Sequence, residues 1–476
     1  MNFKQRIGQR LVIGIRGTSL DEATRSHLKE ISPGGVILFS RNISHPDQVR
    51  NLIRDIKETV QPSPLIAVDQ EGGLVVRFFR DVTIMPGNMA LGAIDSPDLA
   101  YKQGVLMARE LKAIGFDLNL APVVDVVTTY DNPGITIRSF GSDSPKVATL
   151  AVNFVQGTQS SGMGAVAKHF PGKGAASKDA HFDLPKVDIP WNEMLSTHLL
   201  PFQECIKNGI KGVMSSHVIY PNIPGCEKFP ATFSSRLTRQ YLREKLNFKG
   251  VIFSDDLEMG AITKFFPFEE AVVKALKAGH DMVLICSDYE KQRLTLQVLR
   301  KAYEVDSVIL KEMDESVERI DRLRNFCQRN NPPPFSKGGL GGFSAKNHAL
   351  NLAQEIAERA ITLREGSVPV PIPLKPGIKI FTIIPELSQL ESIEDGFEKG
   401  EHNFISQALE ATFSMKVQKQ FIPLDSEEEV IEKALENAKN ADIVLAFIFN
   451  ARTIKGQRLL LEKLKAFPRK VIWILL

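Results

Sequence analysis

Cysteine is scarce in this chain, which has four cysteines among 476 residues. They are Cys205, Cys226, Cys286 and Cys327, and no two of them have the short spacing that is typical of a zinc site or a redox motif. The cysteines therefore give no support to a structural zinc site or to dithiol chemistry. We expect them to be buried free thiols.

Excess charge is also lacking, since the formal net charge at pH 7 is only +3. So small a charge on a chain of this length predicts neither a nucleic-acid partner nor an acidic membrane surface as partner. The N-terminal residues 1–17 have only a very short apolar run, with Arg6, Arg10 and Arg16 around it. Neither a signal-peptide core nor a spanning segment fits there, so we expect a cytoplasmic protein.

The first 330 residues alternate short β-branched runs with amphipathic stretches, as a barrel of parallel strands requires. Several amphipathic stretches, such as 97–114, 145–161 and 191–208, begin near an Asp, Ser or Pro that favours a helix start. The candidate strands are residues 11–17, 35–40, 65–70, 116–122, 165–170, 212–217, 251–256 and 281–286. Eight such units predict an α/β fold with a (β/α)8 barrel over residues 1–328.

Polar side chains gather where these runs end. They are Arg16, Asp69, Lys168 with His169, His217, and Asp255 with Asp256. In a (β/α)8 barrel all the carboxyl ends of the strands open onto one face, where active sites lie. Alternatively, each of these residues could be an independent helix-capping residue or a solvated loop residue. That interpretation is plausible for any one of them and poor for the whole set. The pattern predicts one shared pocket.

A change of composition after residue 328 indicates a second domain. Residues 329–334 read Arg-Asn-Asn-Pro-Pro-Pro, and four glycines follow between 338 and 342, so we interpret 329–344 as a linker. The glycine run lacks the Lys-Ser/Thr of a phosphate loop. Residues 345–476 then predict a smaller α/β domain with a helix at 345–360, strands at 378–384, 443–449 and 471–476, and a helix after Lys455. Because the last strand is apolar, we expect this domain to be incomplete or to finish by packing on the barrel.

Three segments contain the residues with catalytic potential. The segment 68–73 reads Val-Asp-Gln-Glu-Gly-Gly, 168–174 reads Lys-His-Phe-Pro-Gly-Lys-Gly and continues to Asp179-Ala180-His181, and 253–259 reads Phe-Ser-Asp-Asp-Leu-Glu-Met. With the segments 138–141 and 214–217, they resemble the bacterial β-N-acetylglucosaminidases of glycoside hydrolase family 3. The resemblance covers nearly all of the first 330 residues. It implies a (β/α)8 barrel that releases terminal N-acetylglucosamine without a cofactor or a metal.

Retaining glycoside cleavage needs a nucleophilic carboxylate and a proton donor. The resemblance assigns the nucleophile to Asp255, at the end of an apolar strand. Asp256 is the neighbour to test against it, although adjacent strand residues point to opposite sides, and the pair could also be two helix-capping aspartates. Where a second carboxylate would be usual, the matching position holds His181. Asp179, two residues earlier in an extended loop, can orient and stabilise its protonated ring.

The resemblance also places sugar-binding residues around a non-reducing N-acetylglucosamine. They are Asp69, Arg77, Arg138, Lys168 and His169, each of which could instead belong to a buried structural ion pair. His217 ends a strand as the others do, but it could equally be a satisfied core histidine. The family often has a histidine where this chain has Lys173, which predicts an effect on the catalytic loop or on leaving-group preference.

Other functions stay open from the sequence. His169, Asp179, His181, His217 and Asp255 could surround a metal ion of a metal-dependent hydrolase, although no His-x-His or His-x-x-x-His spacing supports it. A phosphorylase would also suit a histidine acid, because a neutral imidazole does not repel phosphate. The third alternative is a protein that keeps the barrel and binds a sugar but no longer catalyses turnover, a sugar-binding relic. The resemblance implies muropeptide fragments as substrates, while the leaving group and the oligomeric state are left open.

Overall fold

The computed structural model describes residues 1–129, 132, 134–180, 182–305, 307–329, 342–362, 377–386, 405, 409, 417–449, 451–452, 454–468 and 470–475. The chain divides into two compact units, Met1–Ile361 and Thr362–Leu476. Among the described residues, no helix has both the length and the apolar character needed to cross a bilayer.

The first unit is a closed barrel of eight parallel strands in sequential order, β1 to β8. The strands are β1 Leu11–Gly14, β2 Gly35–Ile37, β3 Leu65–Val68, β4 Leu118–Asn119, β5 Gly164–Phe170, β6 Gly212–Ser215, β7 Val251–Asp256 and β8 Met282–Ile285. Pairing of β1 with β8 closes the ring. Each predicted run overlaps one strand, so the predicted (β/α)8 barrel is confirmed.

Helices surround this barrel. They are α1 Phe3–Gly8, α2 Glu22–Ile31, α3 Pro46–Thr59, α4 Asn88–Ile94, α5 Pro97–Ile114, α6 Ser144–Ser160, α7 Trp191–Glu193, α8 Leu200–Lys207, α9 Gly260–Thr263, α10 Phe268–Ala278, α11 Tyr289–Val305, α12 Ser307–Arg329 and α13 Gly342–Ala360. The described connections also contain the π-helical segments Met194–His198 and Arg236–Lys245 and the 3₁₀ turns Ser40–Asn42, Thr136–Arg138 and Ala231–Phe233.

The helix boundaries follow from local capping. Asp21 accepts a hydrogen bond from the backbone N–H of Thr24 at 2.7 Å at the start of α2, and Asp143 accepts one from that of Lys146 at 3.0 Å at the start of α6. Such bonds satisfy amide groups that have no partner in the first helical turn. Helix α5 ends at Gly115, whose φ of 119° lies in the left-handed region that glycine adopts readily.

The barrel interior is filled by apolar side chains, and helix α12 seals its amino-terminal end. The interior cluster contains Val12, Ile37, Leu65, Leu118, Val166, Met214, Phe253 and Leu284. Helix α12 adds Ile320, Leu323 and Cys327 to the same cluster. The Cys327 thiol donates to the carbonyl of Asp117, just before β4, at 3.3 Å. Helix α12 thus packs against the end of the barrel opposite the carboxyl ends of the strands, where active sites of such barrels lie.

Helix α13 corrects the predicted domain boundary. The sequence placed residues 345–360 in the C-terminal domain, but the first compact unit extends to Ile361. Ala349, Leu352 and Ile356 are buried in one cluster with residues of α4 and α5. Their spacing of three and four residues puts them on one helix face, and burial of that face groups α13 with the barrel. Residues 330–341 of the predicted linker lie outside the described residues.

The second unit contains a parallel four-stranded sheet with the order β10-β9-β11-β12. Its strands are β9 Ile380–Glu386, β10 Gln418–Pro423, β11 Ile443–Ile448 and β12 Lys470–Leu475, and its helices are α14 Glu428–Ala438 and α15 Lys455–Lys465. The predicted smaller α/β domain is confirmed. The sequence missed β10 and α14.

Candidate active site

The predicted site residues lie at or beyond the carboxyl ends of the barrel strands. Asp69 follows β3, Lys168 and His169 lie in β5, His217 follows β6, and Asp255 lies in β7, while Arg77, Arg138 and Asp179 lie in the connections after β3, β4 and β5. Because parallel strands expose these ends on one rim, the residues face a common region. His181 lies outside the described residues.

Four of these residues form a continuous ion-pair cluster with Glu71. The Lys168 ammonium lies 2.7 Å from Asp69 Oδ1 and 2.6 Å from Glu71 Oε1. Arg138 binds Glu71 through two bonds, Nε to Oε2 at 2.9 Å and Nη2 to Oε1 at 2.8 Å. Arg77 Nη2 lies 3.5 Å from Asp69 Oδ2. The predictions for Asp69, Arg77, Arg138 and Lys168 thus meet in one place, whereas Glu71 had been given no role.

The cluster is charged at neutral pH. Burial raises the pKa of Glu71, but the neighbouring Arg138 and Lys168 outweigh that effect and hold its pKa at about 2. For Lys168, burial lowers the pKa, and Asp69 with Glu71 more than reverses the change. Glu71 and Lys168 are only 2% and 3% exposed. Buried charges of this kind persist only where partners neutralise them, so the five side chains hold one another in position.

The turn after Glu71 requires glycine. Gly72 has a φ of +90°, and a Cβ on it would lie 2.8 Å from the backbone oxygens of Met85 and Pro86. Next to it, the Gly73 N–H donates to the Met85 carbonyl at 2.8 Å. The Gly-Gly pair therefore lets the loop after β3 fold back closely, and this positions Glu71 beside Arg138.

Asp125, which the sequence analysis did not select, fixes the orientation of His169. Its Oδ2 accepts from His169 Nδ1 at 2.8 Å and from the His169 backbone N–H at 3.2 Å, and its Oδ1 accepts from the Lys173 backbone N–H at 2.7 Å. Asp125 is fully buried, and burial raises its pKa to about 6 although Lys173 opposes the shift. Its three bonds to His169 and to the Lys173 backbone hold the carboxyl group in place, and the bond to Nδ1 sets the orientation of the His169 ring.

Asp255 lies at the end of β7, and its Oδ1 accepts from the Asp256 backbone N–H at 2.9 Å. That bond restricts the rotation of the carboxylate group. Lys173 lies within the electrostatic field of Asp255. Burial lowers the pKa of Lys173, and Asp255 is the largest charge that opposes this shift, ahead of Asp125 and Asp179. The buried Lys173 side chain therefore experiences the charges of three carboxylates of this rim.

Residues 3–323 match the family described as the glycosyl hydrolase family 3 N terminal domain. The chain belongs to glycoside hydrolase family 3. It is 39% identical to a β-hexosaminidase of Thioalkalivibrio sulfidiphilus (strain HL-EbGR7) over 295 residues, which cover 61% of this chain and 84% of that protein. A β-hexosaminidase of Haemophilus influenzae (strain PittEE) is 37% identical over 325 residues, or 67% of this chain and 89% of the relative.

Solved family-3 structures are similar as well. A β-N-acetylglucosaminidase from Paenibacillus sp. str. FPU-7 is 31% identical with a TM-score of 0.90, covering 100% of this chain and 90% of that one. NagZ from Neisseria gonorrhoeae is 30% identical with a TM-score of 0.59, covering 72% of this chain and 97% of NagZ. The predicted family is confirmed. The chain is a glycoside hydrolase of the β-hexosaminidase type, and its substrates are carbohydrates.

Asp256, the second aspartate of this family-3 strand, has partners within its own turn. Its Oδ1 accepts from the Glu258 backbone N–H at 3.1 Å. Burial raises the pKa of Asp256 to about 7, and Glu258 and Asp255 add to the shift. Glu258 in turn accepts from the backbone N–H of Ser287 at 2.6 Å, beyond β8. These bonds give Asp256 a role in the geometry of the strand end, and Asp255 stays the predicted nucleophile.

His217 contacts the same strand end in this family-3 barrel. Its Nδ1 lies 2.7 Å from the hydroxyl of Thr232, and its Nε2 donates to the Asp256 carbonyl at 2.9 Å. The ring is 1% exposed. Both nitrogens thus bind protein groups, which favours the core-histidine interpretation that the sequence left open. Contact of His217 with substrate stays a prediction.

Asp179 lies in a compact turn of the loop between β5 and α7. Its backbone carbonyl accepts from the N–H groups of Phe182 at 3.2 Å and Asp183 at 3.0 Å. Its carboxylate approaches Gly134 in the preceding connection, where an added Cβ would lie 3.3 Å from Asp179 Oδ2. The loop that contains the predicted acid residue is therefore folded against the loop after β4 in this family-3 enzyme.

Proposed function

We propose that the chain is a retaining exo-β-N-acetylglucosaminidase that uses Asp255 as nucleophile and His181 with Asp179 as acid/base. The observation on which this rests is that the Asp255 carboxylate shares one barrel rim with the charged cluster of Asp69, Arg138 and Lys168. The Paenibacillus relative is a β-N-acetylglucosaminidase, and NagZ has been crystallised with N-trifluoroacetyl-D-glucosamine, a 2-acylamino sugar. Both support an acetamido sugar as substrate.

Recognition of the terminal sugar would fall to the charged cluster. Asp69 can accept from two hydroxyl groups, while Arg77, Arg138, Lys168 and His169 can donate. Because these side chains are already paired and buried, little reorganisation is needed when a sugar replaces water.

In the first step, an Asp255 oxygen attacks the anomeric carbon while the bond from that carbon to the leaving oxygen breaks. The protonated His181 ring gives its proton to the departing oxygen, and the aglycone leaves as a neutral alcohol. The product is a covalent ester between the sugar and Asp255. The bond from the Asp256 N–H to Asp255 Oδ1 keeps the carboxylate oriented for this attack.

In the second step, neutral His181 takes a proton from a water molecule, whose oxygen attacks the anomeric carbon and displaces Asp255. His181 is protonated again, Asp255 is again a carboxylate, and the sugar leaves with its β configuration retained. Asp179 stabilises the protonated imidazole in both steps.

The proposal extends to the biological substrate. A leaving group of N-acetylmuramic acid or its anhydro form, in muropeptide fragments of the cytoplasm, fits the family resemblance. The small net charge of +3 is compatible with a small-molecule carbohydrate partner.

The function is tested by hydrolysis of a nitrophenyl β-N-acetylglucosaminide beside the matched β-glucoside. We expect turnover of the first, little of the second, and the β anomer as the first product in an NMR time course. The α anomer as first product would reject retention, and absence of turnover would favour a sugar-binding relic. Dependence of product formation on phosphate would favour phosphorolysis, and loss of activity in a chelator would favour a metal-dependent hydrolase.

The acid/base assignment predicts a dependence on the leaving group. For His181→Ala, kcat/KM for a phenyl glycoside should fall by roughly 10²- to 10⁴-fold, whereas a dinitrophenyl glycoside, whose leaving group needs no proton, should be affected little. Added azide should yield the β-glycosyl azide, because azide attacks the covalent intermediate without a base. Equal losses for both glycosides would contradict the assignment.

Asp179→Asn provides the second test of the same pair. Removal of the carboxylate destabilises the protonated ring, so the basic limb of the pH profile of kcat/KM should move to lower pH. An unchanged basic limb would exclude Asp179 as the partner of the acid.

A further inference from the structure

The loop with Asp179 and His181 is bonded to the chain that leaves the nucleophile strand. The backbone N–H of Ala261 donates to the carbonyl of Ala180 at 3.0 Å, and the Lys264 ammonium donates to the carbonyl of Phe182 at 2.7 Å. Ala180 and Phe182 are the two neighbours of His181 in the sequence. The two residues that flank the predicted acid in the sequence thus both contact helix α9 or its end.

Apolar packing also joins the loop that contains Asp179 to the chain that follows β7. Ala180, Met259 and Ala261 form a small buried cluster with exposures of 3%, 8% and 0%, and Leu184 packs against it. Met259 and Ala261 follow Asp255 by four and six residues. The short connection from nucleophile to α9 therefore also forms the surface on which the acid loop rests.

The loop itself is a compact turn, so an anchor at one point positions the rest. Phe182 and Asp183 both donate backbone N–H groups to the Asp179 carbonyl. Lys178 forms an ion pair with Asp183 across the turn. Movement of the Phe182 carbonyl would therefore displace the whole segment from Asp179 to Asp183.

We propose that Lys264 is a positioning residue for acid/base catalysis, because its bond to the Phe182 carbonyl fixes the acid loop relative to Asp255. This inference rests on the proposed function of His181. Lys264 is exposed, and the hydrogen bond of its side chain to the Phe182 carbonyl joins it to the loop. Its substitution should thus leave the barrel folded while it loosens the acid.

The expected effect is selective for substrates that need a proton. One hydrogen bond from a charged donor at an exposed position corresponds to roughly a two- to tenfold change in rate. Lys264→Met should lower kcat/KM for the phenyl glycoside by that factor and leave the dinitrophenyl glycoside within about twofold of wild type. A plot of log kcat/KM against leaving-group pKa should become steeper.

Two variants serve as controls. Lys264→Arg keeps a cationic donor and should restore the wild-type slope. Lys207→Met removes an exposed ammonium whose contact is Glu204 on its own helix, at 3.7 Å, and should leave the slope unchanged. Equal losses on both glycosides with Lys264→Met, or no loss in a protein with an unchanged melting temperature, would overturn the positioning role.

A double variant separates this inference from the proposed function. If Lys264 acts through His181, Lys264→Met should have no further effect in a His181→Ala background. A further loss there would overturn the inference even if His181→Ala alone shows the leaving-group dependence of an acid. If His181→Ala shows no such dependence, His181 is not the acid, and the positioning role of Lys264 is rejected together with the proposed function.

Discussion

Asp255→Asn should reduce the hydrolysis of a nitrophenyl β-N-acetylglucosaminide by at least about a thousandfold, because an amide cannot form the covalent ester. The substitution keeps the size of the side chain and an oxygen that can accept from the Asp256 N–H. Substrate binding should therefore persist, and kcat should account for most of the loss. Steady-state rates and a binding titration with N-acetylglucosamine measure the two effects separately.

Asp256→Asn is the matched control for this experiment. The pKa of Asp256 is raised to about 7, so the carboxyl group is partly protonated at neutral pH, and asparagine resembles that form. We expect at most about a tenfold loss. A larger loss in Asp256→Asn than in Asp255→Asn would transfer the role of nucleophile to Asp256.

An azide experiment also tests Asp255. Asp255→Ala with azide should yield the α-glycosyl azide, since azide then occupies the face of the sugar that the nucleophile has left open.

Glu71→Ala should destabilise the barrel and raise KM. It leaves Arg138 without its bidentate partner and Lys168 with Asp69 alone. Removal of one partner of a buried ion pair costs about 3–5 kcal/mol, which corresponds to roughly 5–10 °C in apparent melting temperature for a domain of this size. Thermal unfolding and KM for the nitrophenyl substrate are the measurements.

Asp281→Ala is the matched control for Glu71→Ala. Asp281 is also buried, lies directly before β8, and pairs with Arg243 at 2.6 Å and Arg319 at 2.9 Å. It lies at the sealed end of the barrel, so its loss should lower stability with KM unchanged. An equal rise in KM for both variants would show that KM follows stability and would remove Glu71 from the site.

The low pKa of Glu71 also fixes the sign of a pH effect. Its pKa is about 2 in the folded chain against an ordinary value of 4.5, so the ionised group contributes stability above pH 4.5 that is lost as the pH falls toward 2. The shift corresponds to about 3 kcal/mol. Glu71→Gln lacks this dependence, and its stability relative to wild type should therefore recover as the pH is lowered.

The barrel and its rim were predictable because they follow from local patterns. Short apolar runs gave the strands, and residues such as Asp69, Lys168 and Asp255 marked the strand ends. The closed barrel then brings those ends together whatever the details of packing. Asp69, Arg77, Arg138 and Lys168 form ion pairs with one another or with Glu71, as the alternative of buried structural ion pairs also predicts, so their contact with a sugar stays a prediction.

The supporting residues were missed because their partners are remote in sequence. Asp125 binds a histidine 44 positions later, and Glu71 binds an arginine 67 positions later. Two signals could have found them. Asp125 is the one charged residue within a run of valines at 123–127, and Glu71 lies two positions after Asp69. A charged residue in an apolar run is expected to have a partner.

Helix α13 shows the same limitation at the level of domains. Its pattern predicted a helix, but the pattern does not identify which surface covers the apolar face. Composition placed the boundary before the helix, at the Pro/Gly-rich residues 329–344, whereas packing places it after Ile361. Strand β10 was missed because only one of its six residues, Ile422, is buried and its sequence, Gln-Lys-Gln-Phe-Ile-Pro, is only half apolar.

This packing of α13 decides where the chain can be shortened. A protein cut after residue 329 would lose Ala349, Leu352 and Ile356 and would expose the apolar faces of α4 and α5 that they cover. Exposed patches of this kind promote self-association. The smallest piece that retains a fully covered barrel therefore ends beyond Ala360, and the change in composition at the linker marks the wrong place for a terminus.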